Sequence, residues 1–445
     1  MSERSMSEHA THLAAAIAER RATVGIIGLG YVGLPLALAF AERGFQVLGF
    51  DVDQRKIDMI AAGECYIRHL EASRLTAVAA AGTLTATTDF DRLGEPDALL
   101  ICVPTPLDAH REPDLRFVDR TGSEIAKRLR PGQLVVLEST TYPGTTDERL
   151  RPVLEADGLV CGRDVFLAFS PEREDPGNPD FGTTTIPKVV GGVDPESGDL
   201  AEALYGQVVE QTVRVSSARA AEATKLTENI FRAVNIALVN ELKTVYDGLD
   251  IDVWEVIDAA ATKPFGYMRF TPGPGWGGHC IPIDPFYLSW KARAHDMRAR
   301  FIELAGEVNR EMPAWVIDKL IRALNEAGKA VKGSKVMMLG IAYKPNIDDP
   351  RESPAFELLE KLLDLGADLS YHDPHVPRAP SMRNWPELPP LESQPLDAAN
   401  LAAQDAVLIV TNHAAVDYDL VIAHASLIVD TRGVYRQPVA HVVRA

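Results

Sequence analysis

One arrangement near the start of the chain limits the fold more than any other. The β-branched run Thr23–Ile27 opens directly onto Gly28-Leu29-Gly30-Tyr31-Val32-Gly33, and a helical stretch over residues 34–43 follows. Gly44 stops that stretch, and a second apolar run, Gln46–Phe50, ends at Asp51. Strand, glycine turn, helix, strand and acid in this order form a dinucleotide-binding βαβ unit. Gly28 serves the tight turn, Gly30 leaves room for a pyrophosphate, and Gly33 lets helix pack on strand. The helix start presents unpaired N–H groups and a positive dipole end to phosphate. Asp51 is placed to accept a hydrogen bond from a ribose 2′-hydroxyl and would repel a 2′-phosphate, so the cofactor expected is NAD rather than NADP. For Lys56 two readings stay open: a cation near the adenosine side, or a solvated helix lysine.

The alternation of strand and helix continues. Buried-type strands are read at 98–103, 133–138 and 165–169, with Val189-Val190-Gly191-Gly192 as the last of this domain. The first three end in polar, proline-bearing loops: Pro104-Thr105-Pro106, Ser139-Thr140-Thr141-Tyr142-Pro143-Gly144 and Ser170-Pro171-Glu172-Arg173-Glu174. Ligands of open α/β sheets sit beyond the C-terminal strand ends, so these loops are candidates to line a site.

From Ala218 to Asp247 there is neither proline nor glycine, and Leu226, Ile230, Phe231, Val234, Leu238 and Leu242 recur at helical spacing. This predicts one helix of roughly 30 residues, with Lys225 and Asn229 one turn apart on a shared face. A smaller helix is read from Asp252 to Ala261, and then a segment, 263–271, that carries Lys263 and Arg269 among aromatics. That segment is either a grip for phosphate and sugar or an ordered connection. Next comes Gly273-Pro274-Gly275-Trp276-Gly277-Gly278-His279-Cys280-Ile281-Pro282-Ile283-Asp284. Taken alone, Cys280 reads as a buried thiol in a turn. In a glycine-rich loop with a carboxylate four residues on, it reads as a reachable nucleophile.

The last third repeats the α/β pattern without the glycine signature. A strand over 334–339 leads into a loop bearing Lys344 and Arg351, cations suited to a nucleotide diphosphate. A helix over 354–365, a strand at Asp368–His372, and strands at 406–411 and 427–430 follow. The fold expected is therefore α/β, with two Rossmann-like doubly wound domains joined by a long central helix. The division read is a helical extension (1–21), a dinucleotide domain (22–215), a central helical domain with the cysteine loop (216–325) and a second nucleotide domain (326–445). A chain of 445 residues also exceeds one ordinary core.

Net charge of −18 argues against a nucleic-acid partner. The four cysteines, Cys65, Cys102, Cys161 and Cys280, lie far apart and show no metal-ligand spacing, which points to reduced thiols, no metal and a cytoplasmic location. No apolar run approaches the ~20 residues of a membrane span, and residues 1–22 lack the apolar centre of a signal peptide.

The motifs VGIIGLGYVGLPLA, ESTTYPGTT, SPERE, ATKLTEN, PGPGWGGHCIPIDP and GIAYKPNIDDPRES, in this order, resemble the UDP-glucose/GDP-mannose dehydrogenase family over about residues 22–435. The loop GGHCIPIDPFYLSWKA, with SPERE and YPGTT, most resembles the branch acting on UDP-N-acetylglucosamine. The resemblance implies twofold oxidation of a sugar C6 alcohol to a carboxylate with two NAD+. Cys280 would be the nucleophile, forming a thiohemiacetal and then a thioester. Lys225 and Asn229 would stabilise oxyanions, Asp284 with Thr140 would hold the water, and Glu172 matches the family's site carboxylate. The second acid of the family falls out of register at Glu174 and Asp175. The cofactor set implied is Gly28, Gly30, Tyr31, Val32, Gly33, Asp51, Lys56, Thr105, Thr140 and Arg351. The UDP-sugar set is Glu172, Lys225, Asn229, Gly277 and Lys344, with Lys263, Arg269 and Arg432. A homodimer, or an assembly of dimers, through the long helix is implied as well.

Overall fold

The computed structural model describes residues 6–67, 70–108, 112–174, 181–278, 281–382 and 384–445. They divide into two compact units, 1–228 with 290–296, and 229–289 with 297–445.

In the first unit, helix α1 (Glu8–Ala18) precedes β1 (Thr23–Ile27), α2 (Gly33–Glu42), β2 (Gln46–Phe50), α3 (Gln54–Ala62), α4 (Ala72–Ala81), β3 (Leu84–Thr87) and β4 (Ala98–Ile101). Then come α5 (Arg116–Ala126), β5 (Leu134–Leu137), α6 (Arg151–Leu154), β6 (Phe166–Phe169), β7 (Lys188–Gly192), α7 (Pro195–Tyr205) and β8 (Thr212–Arg214). The strands form one sheet in the order β3-β2-β1-β4-β5-β6-β7-β8. Its first six members have the doubly wound 3-2-1-4-5-6 order, whose switch point lies between β1 and β4. Strands β4, β5 and β6 are buried at every position, as a parallel sheet covered on both faces requires. Ala10, Leu13, Ala16 and Ile17 of α1 pack into the same core, so the N-terminal extension is helical, as the sequence reading expects.

Two features differ from the sequence reading. The strand at Val189–Gly192 begins at Lys188, runs antiparallel to β6 and is not the last. Strand β8 pairs with it in parallel. Thr212–Arg214 is three residues long and only half buried, so it carries no apolar pattern to find.

Helix α8 (Ala218–Asp247) has the predicted bounds and passes from the first unit into the second. The second unit continues with α9 (Val253–Ala261), α10 (Asp284–Arg293, whose end returns to the first unit) and α11 (Arg300–Glu326). Helix α11 runs through Pro313, which cannot supply an N–H to the Asn309 carbonyl. Gly275 packs at that point, where a side chain would sit 3.2 Å from the Asn309 oxygen. Asn240 of α8 donates to the Asn309 side chain at 2.7 Å and accepts the Gly273 N–H at 2.9 Å, so the start of the glycine-rich loop is pinned to both long helices.

The second sheet is built from β9 (Lys335–Leu339), β10 (Asp368–His372), β11 (Ala406–Ile409), β12 (Ile428–Asp430) and β13 (Val442–Arg444). Its order is β10-β9-β11-β12-β13, and every pairing is parallel. Helix α12 (Pro354–Asp364), capped by Ser353, covers one face, and α13 (Ala398–Ala402) with α14 (Tyr418–His424) covers the other. The α/β class and the two Rossmann-like sheets thus form as the sequence predicts.

Candidate active site

At the C-terminal edge of the first sheet the glycine turn is held from both sides. Asp51, at the end of β2, accepts the Leu29 N–H at 2.8 Å, and the Tyr66 hydroxyl donates to the Leu29 carbonyl at 2.6 Å. Gly28 has φ +93°, a region closed to most side chains. A Cβ on Gly33 would lie 1.9 Å from the Gly28 oxygen, whereas one on Gly30 would meet nothing within 4 Å. The chain therefore closes up at Gly28 and Gly33 and stays open at Gly30, the shape a pyrophosphate needs. Tyr31 and Val32 complete the turn, and Tyr31 is 48% exposed. Burial alone would push the Asp51 carboxyl up, but Lys56 at 2.8 Å and the N–H groups of Asp53 and Leu29 outweigh it and hold Asp51 below its ordinary range. Lys56 is thus the partner of Asp51. These residues fit a dinucleotide whose ribose approaches a fixed, ionised Asp51.

The loops after β4, β5 and β6 share that edge. Ser139 donates to the Val103 carbonyl at 2.7 Å, linking the loops that carry Thr105 and Thr140. The Thr140 loop is anchored further on by Glu222 of α8, which accepts the N–H groups of Gly144 and Thr146 and the Thr146 hydroxyl. Burial pushes the Glu222 carboxyl up to about 7 against those bonds. One Glu172 oxygen accepts the N–H groups of Arg173 at 2.7 Å and Glu174 at 2.6 Å. Its other oxygen lies 3.3 Å from the Lys188 ammonium. Burial raises Glu172, yet Lys188, these N–H groups and Lys225 bring it below the usual carboxylate range. Glu174, buried beside Glu172, is pushed up to about 7.

In the second unit, Asn229 and Asp284 are both buried and hydrogen bonded. Arg232, one turn along α8, donates to the Asn229 side-chain amide oxygen. Gly277 packs so closely on the β9 loop that a Cβ would meet the Glu352 oxygen at 2.9 Å and Tyr343 at 3.0 Å. That loop carries Lys344 and also Arg351, whose guanidinium pairs with Asp349 at 2.6 Å. Its start is held by Asp373, which accepts the N–H groups of Ile341 and Ala342 and faces His413 at 3.1 Å. His413 in turn accepts the Asn346 N–H at 3.0 Å. Arg432 donates to the Val410 carbonyl at 2.6 Å and lies against Gly273; burial lowers it to about 10. Lys263 and Arg269 lie on the exposed segment after α9, Lys263 over the Phe265 ring and Arg269 paired with Asp258 at 2.8 Å. Cys280 and Asp175 lie outside the described residues.

The sequence reading did not single out Tyr66, Glu138, Lys188, Glu222, Arg232, Asp373 or His413. Arg232 was findable, three residues from Asn229 on the same helix face. Glu138 opens a motif already quoted, ESTTYPGTT.

The sequence matches the UDP-glucose/GDP-mannose dehydrogenase family in three parts: the NAD binding domain over residues 22–209, the central domain over 219–311 and the UDP binding domain over 337–437. It is 34% identical to UDP-N-acetyl-D-glucosamine 6-dehydrogenase of Pseudomonas aeruginosa over 392 residues, covering 88% of this chain and 90% of that one. The chain belongs to this family. It is also 37% identical to UDP-N-acetyl-D-mannosamine dehydrogenase of Escherichia coli strain K12 over 431 residues, 93% of this chain and 99% of the other. Among solved structures, UDP-D-ManNAc dehydrogenase from Pyrococcus horikoshii superimposes with a TM-score of 0.85 at 32% identity, covering 95% of this chain and 98% of that one. As a member of the family the chain is an NAD-dependent nucleotide-sugar 6-dehydrogenase with a UDP binding domain. No described helix is long and apolar enough to cross a membrane, and no described cluster of His, Cys, Asp and Glu could hold a metal.

Proposed function

We propose that the chain oxidises C6 of UDP-N-acetylglucosamine twice, from alcohol to carboxylate, through Cys280. The observation that carries the reading is the buried Asn229–Asp284 hydrogen bond, which sets an amide and a carboxylate together at the start of the helix after the cysteine loop. Gly28, Gly30, Tyr31, Val32, Gly33, Asp51, Lys56, Thr105 and Thr140, with Arg351, would hold NAD, which would supply the hydride acceptor for each oxidation. Asp284 and Thr140 hold the water that takes the hydroxyl proton. The Cys280 thiolate adds to the aldehyde carbon, and the resulting thiohemiacetal becomes a thioester as the second hydride leaves. Water then attacks the thioester, releasing carboxylate and thiol. Lys225 and Asn229 face the oxyanions of these steps. Glu172 is the further acid/base carboxylate, and Gly277, Lys344, Lys263, Arg269 and Arg432 serve the nucleotide sugar.

In this reading residues 22–215 hold the nicotinamide cofactor, 216–325 carry the reacting groups and 326–445 hold the uridine diphosphate, with 1–21 an extension. The enzyme works in the cytoplasm as a homodimer or an assembly of dimers. Phe231, Leu238 and Val245 of α8, seven residues apart and 46%, 49% and 50% exposed, support a partner along this helix.

A second reading keeps the chemistry and changes the sugar to UDP-N-acetylmannosamine, favoured by the 37% identity to the Escherichia coli enzyme of that name. NADH formed per limiting nucleotide sugar tests both. Two per UDP-N-acetylglucosamine, with slower turnover of the mannosamine, galactosamine and glucose analogues, is the expected result. One per sugar would remove the role given to Cys280. Turnover of another UDP-sugar alone would move the substrate and keep the mechanism.

A further inference from the structure

Lys188 opens β7 with its side chain only 6% exposed. Its ammonium lies 2.6 Å from a Glu138 oxygen and 3.3 Å from a Glu172 oxygen, and 5.3 Å from the centre of the Tyr205 ring. Glu138, at the end of β5, is wholly buried, and its other oxygen accepts the Tyr205 hydroxyl. A structural ion pair would be complete with Glu138 and Lys188 alone. Here the same ammonium also reaches a carboxylate on the loop after β6, whose second oxygen is already taken by two backbone N–H groups. Both oxygens of Glu172 are therefore directed, one by its own loop and one by Lys188.

We propose that Lys188 is a positioning residue that keeps Glu172 ionised and aimed, with Glu138 and Tyr205 holding Lys188 in place. This rests on the reading of Glu172 as a site carboxylate. Among the described residues, the groups that bear on Glu172 are Lys188 of β7, Lys225 of α8, Glu138 at the end of β5 and Cys102 at the end of β4, with Glu174 on its own loop. Glu138 and Cys102, at the ends of β5 and β4, and Tyr205 of α7 surround Lys188. Burial pushes Glu138 above the ordinary carboxylate range, and burial pushes Cys102 and Tyr205 well above theirs. Burial would lower Lys188, but the two carboxylates outweigh it and keep the ammonium charged. Without the ammonium, two buried carboxylates face each other with less positive charge, and Glu172 takes up a proton at higher pH.

The experiment is the pH profile of kcat/KM for the nucleotide sugar, at saturating NAD, in the full chain. Lys188→Met is expected to move the acid limb upward by about one unit or more, with NAD affinity unchanged, and Lys188→Arg to restore the original limb. Removing only Lys188 leaves Glu138 buried and unpaired, so Lys188→Met with Glu138→Gln removes both charges together; its acid limb is expected to move as well. A folded double variant whose profile coincides with the wild type overturns the inference. Glu172→Gln separates the two claims. If it is impaired while the Lys188 variants keep the wild-type limb, Glu172 stands and Lys188 falls. If it keeps the full rate and profile, the reading of Glu172 fails first.

Discussion

Asn229 donates its side-chain amide to Asp284 across 2.5 Å, and the acceptor end of the same amide is taken by Arg232. One hydrogen bond thus joins the middle of a 30-residue helix to the first residue of the helix after the cysteine loop. Asp284→Asn keeps the volume and removes the charge. We expect kcat to fall about 10²-fold or more, with NAD binding intact. A kcat within twofold of the wild type, measured beside the NAD dissociation constant, would take Asp284 out of the reacting set.

Asp51 is ionised across the neutral range because Lys56 and two backbone N–H groups outweigh its burial. Asp51→Asn should raise KM for NAD about tenfold and narrow the preference over NADP, with kcat little changed, since a ribose contact acts on binding. Initial rates with both cofactors decide this, and an unaltered NAD KM would contradict it.

Cys280→Ser is expected to form no uronate at steady state while NAD still binds. Alkylation of the wild-type thiol should end NADH production, and the nucleotide sugar should protect against it. Product analysis by mass spectrometry is the check; carboxylate formation by the serine variant at the wild-type rate excludes the thioester route.

Asp373 accepts four backbone N–H groups and faces buried His413. Burial raises its pKa, but His413 and those bonds outweigh it and bring the carboxyl down to about 2 from 3.8. A depressed carboxylate contributes stability that is complete above the unfolded value and is lost as pH falls through the folded one. Asp373→Asn should therefore cost about 1–3 kcal/mol at neutral pH. Its deficit should shrink between pH 4 and pH 2. Urea unfolding at pH 7 and near pH 3 reads both values, and an equal deficit at the two would be the wrong sign of linkage.

The parts legible in the sequence are those where one local rule decides. The glycine turn, Asp51 and the uninterrupted run from Ala218 to Asp247 needed only spacing. Lys188 was not legible. A lysine before Val189-Val190-Gly191-Gly192 looks like the solvated start of a strand, and only the antiparallel pairing of β7 with β6 buries it between Glu138 and Glu172. Asp373 and His413 escaped for the same reason, being 40 residues apart and brought together by the parallel order of β10, β9 and β11. Arg269 was legible as a cation on the segment after α9, but its pairing with Asp258, on the neighbouring helix α9, was not.

Pro313 gives the long helix α11 a defect, and Gly275 is seated against the carbonyl that the defect leaves over. The segment leading to the thiol is thereby seated against a missing bond as well as pinned by the Gly273–Asn240 hydrogen bond. Any other residue at 313 would restore the helical N–H and close the notch; any side chain at 275 would crowd it. The foothold of the glycine-rich loop is an omission in its neighbour, so a change at 313 is felt at 275.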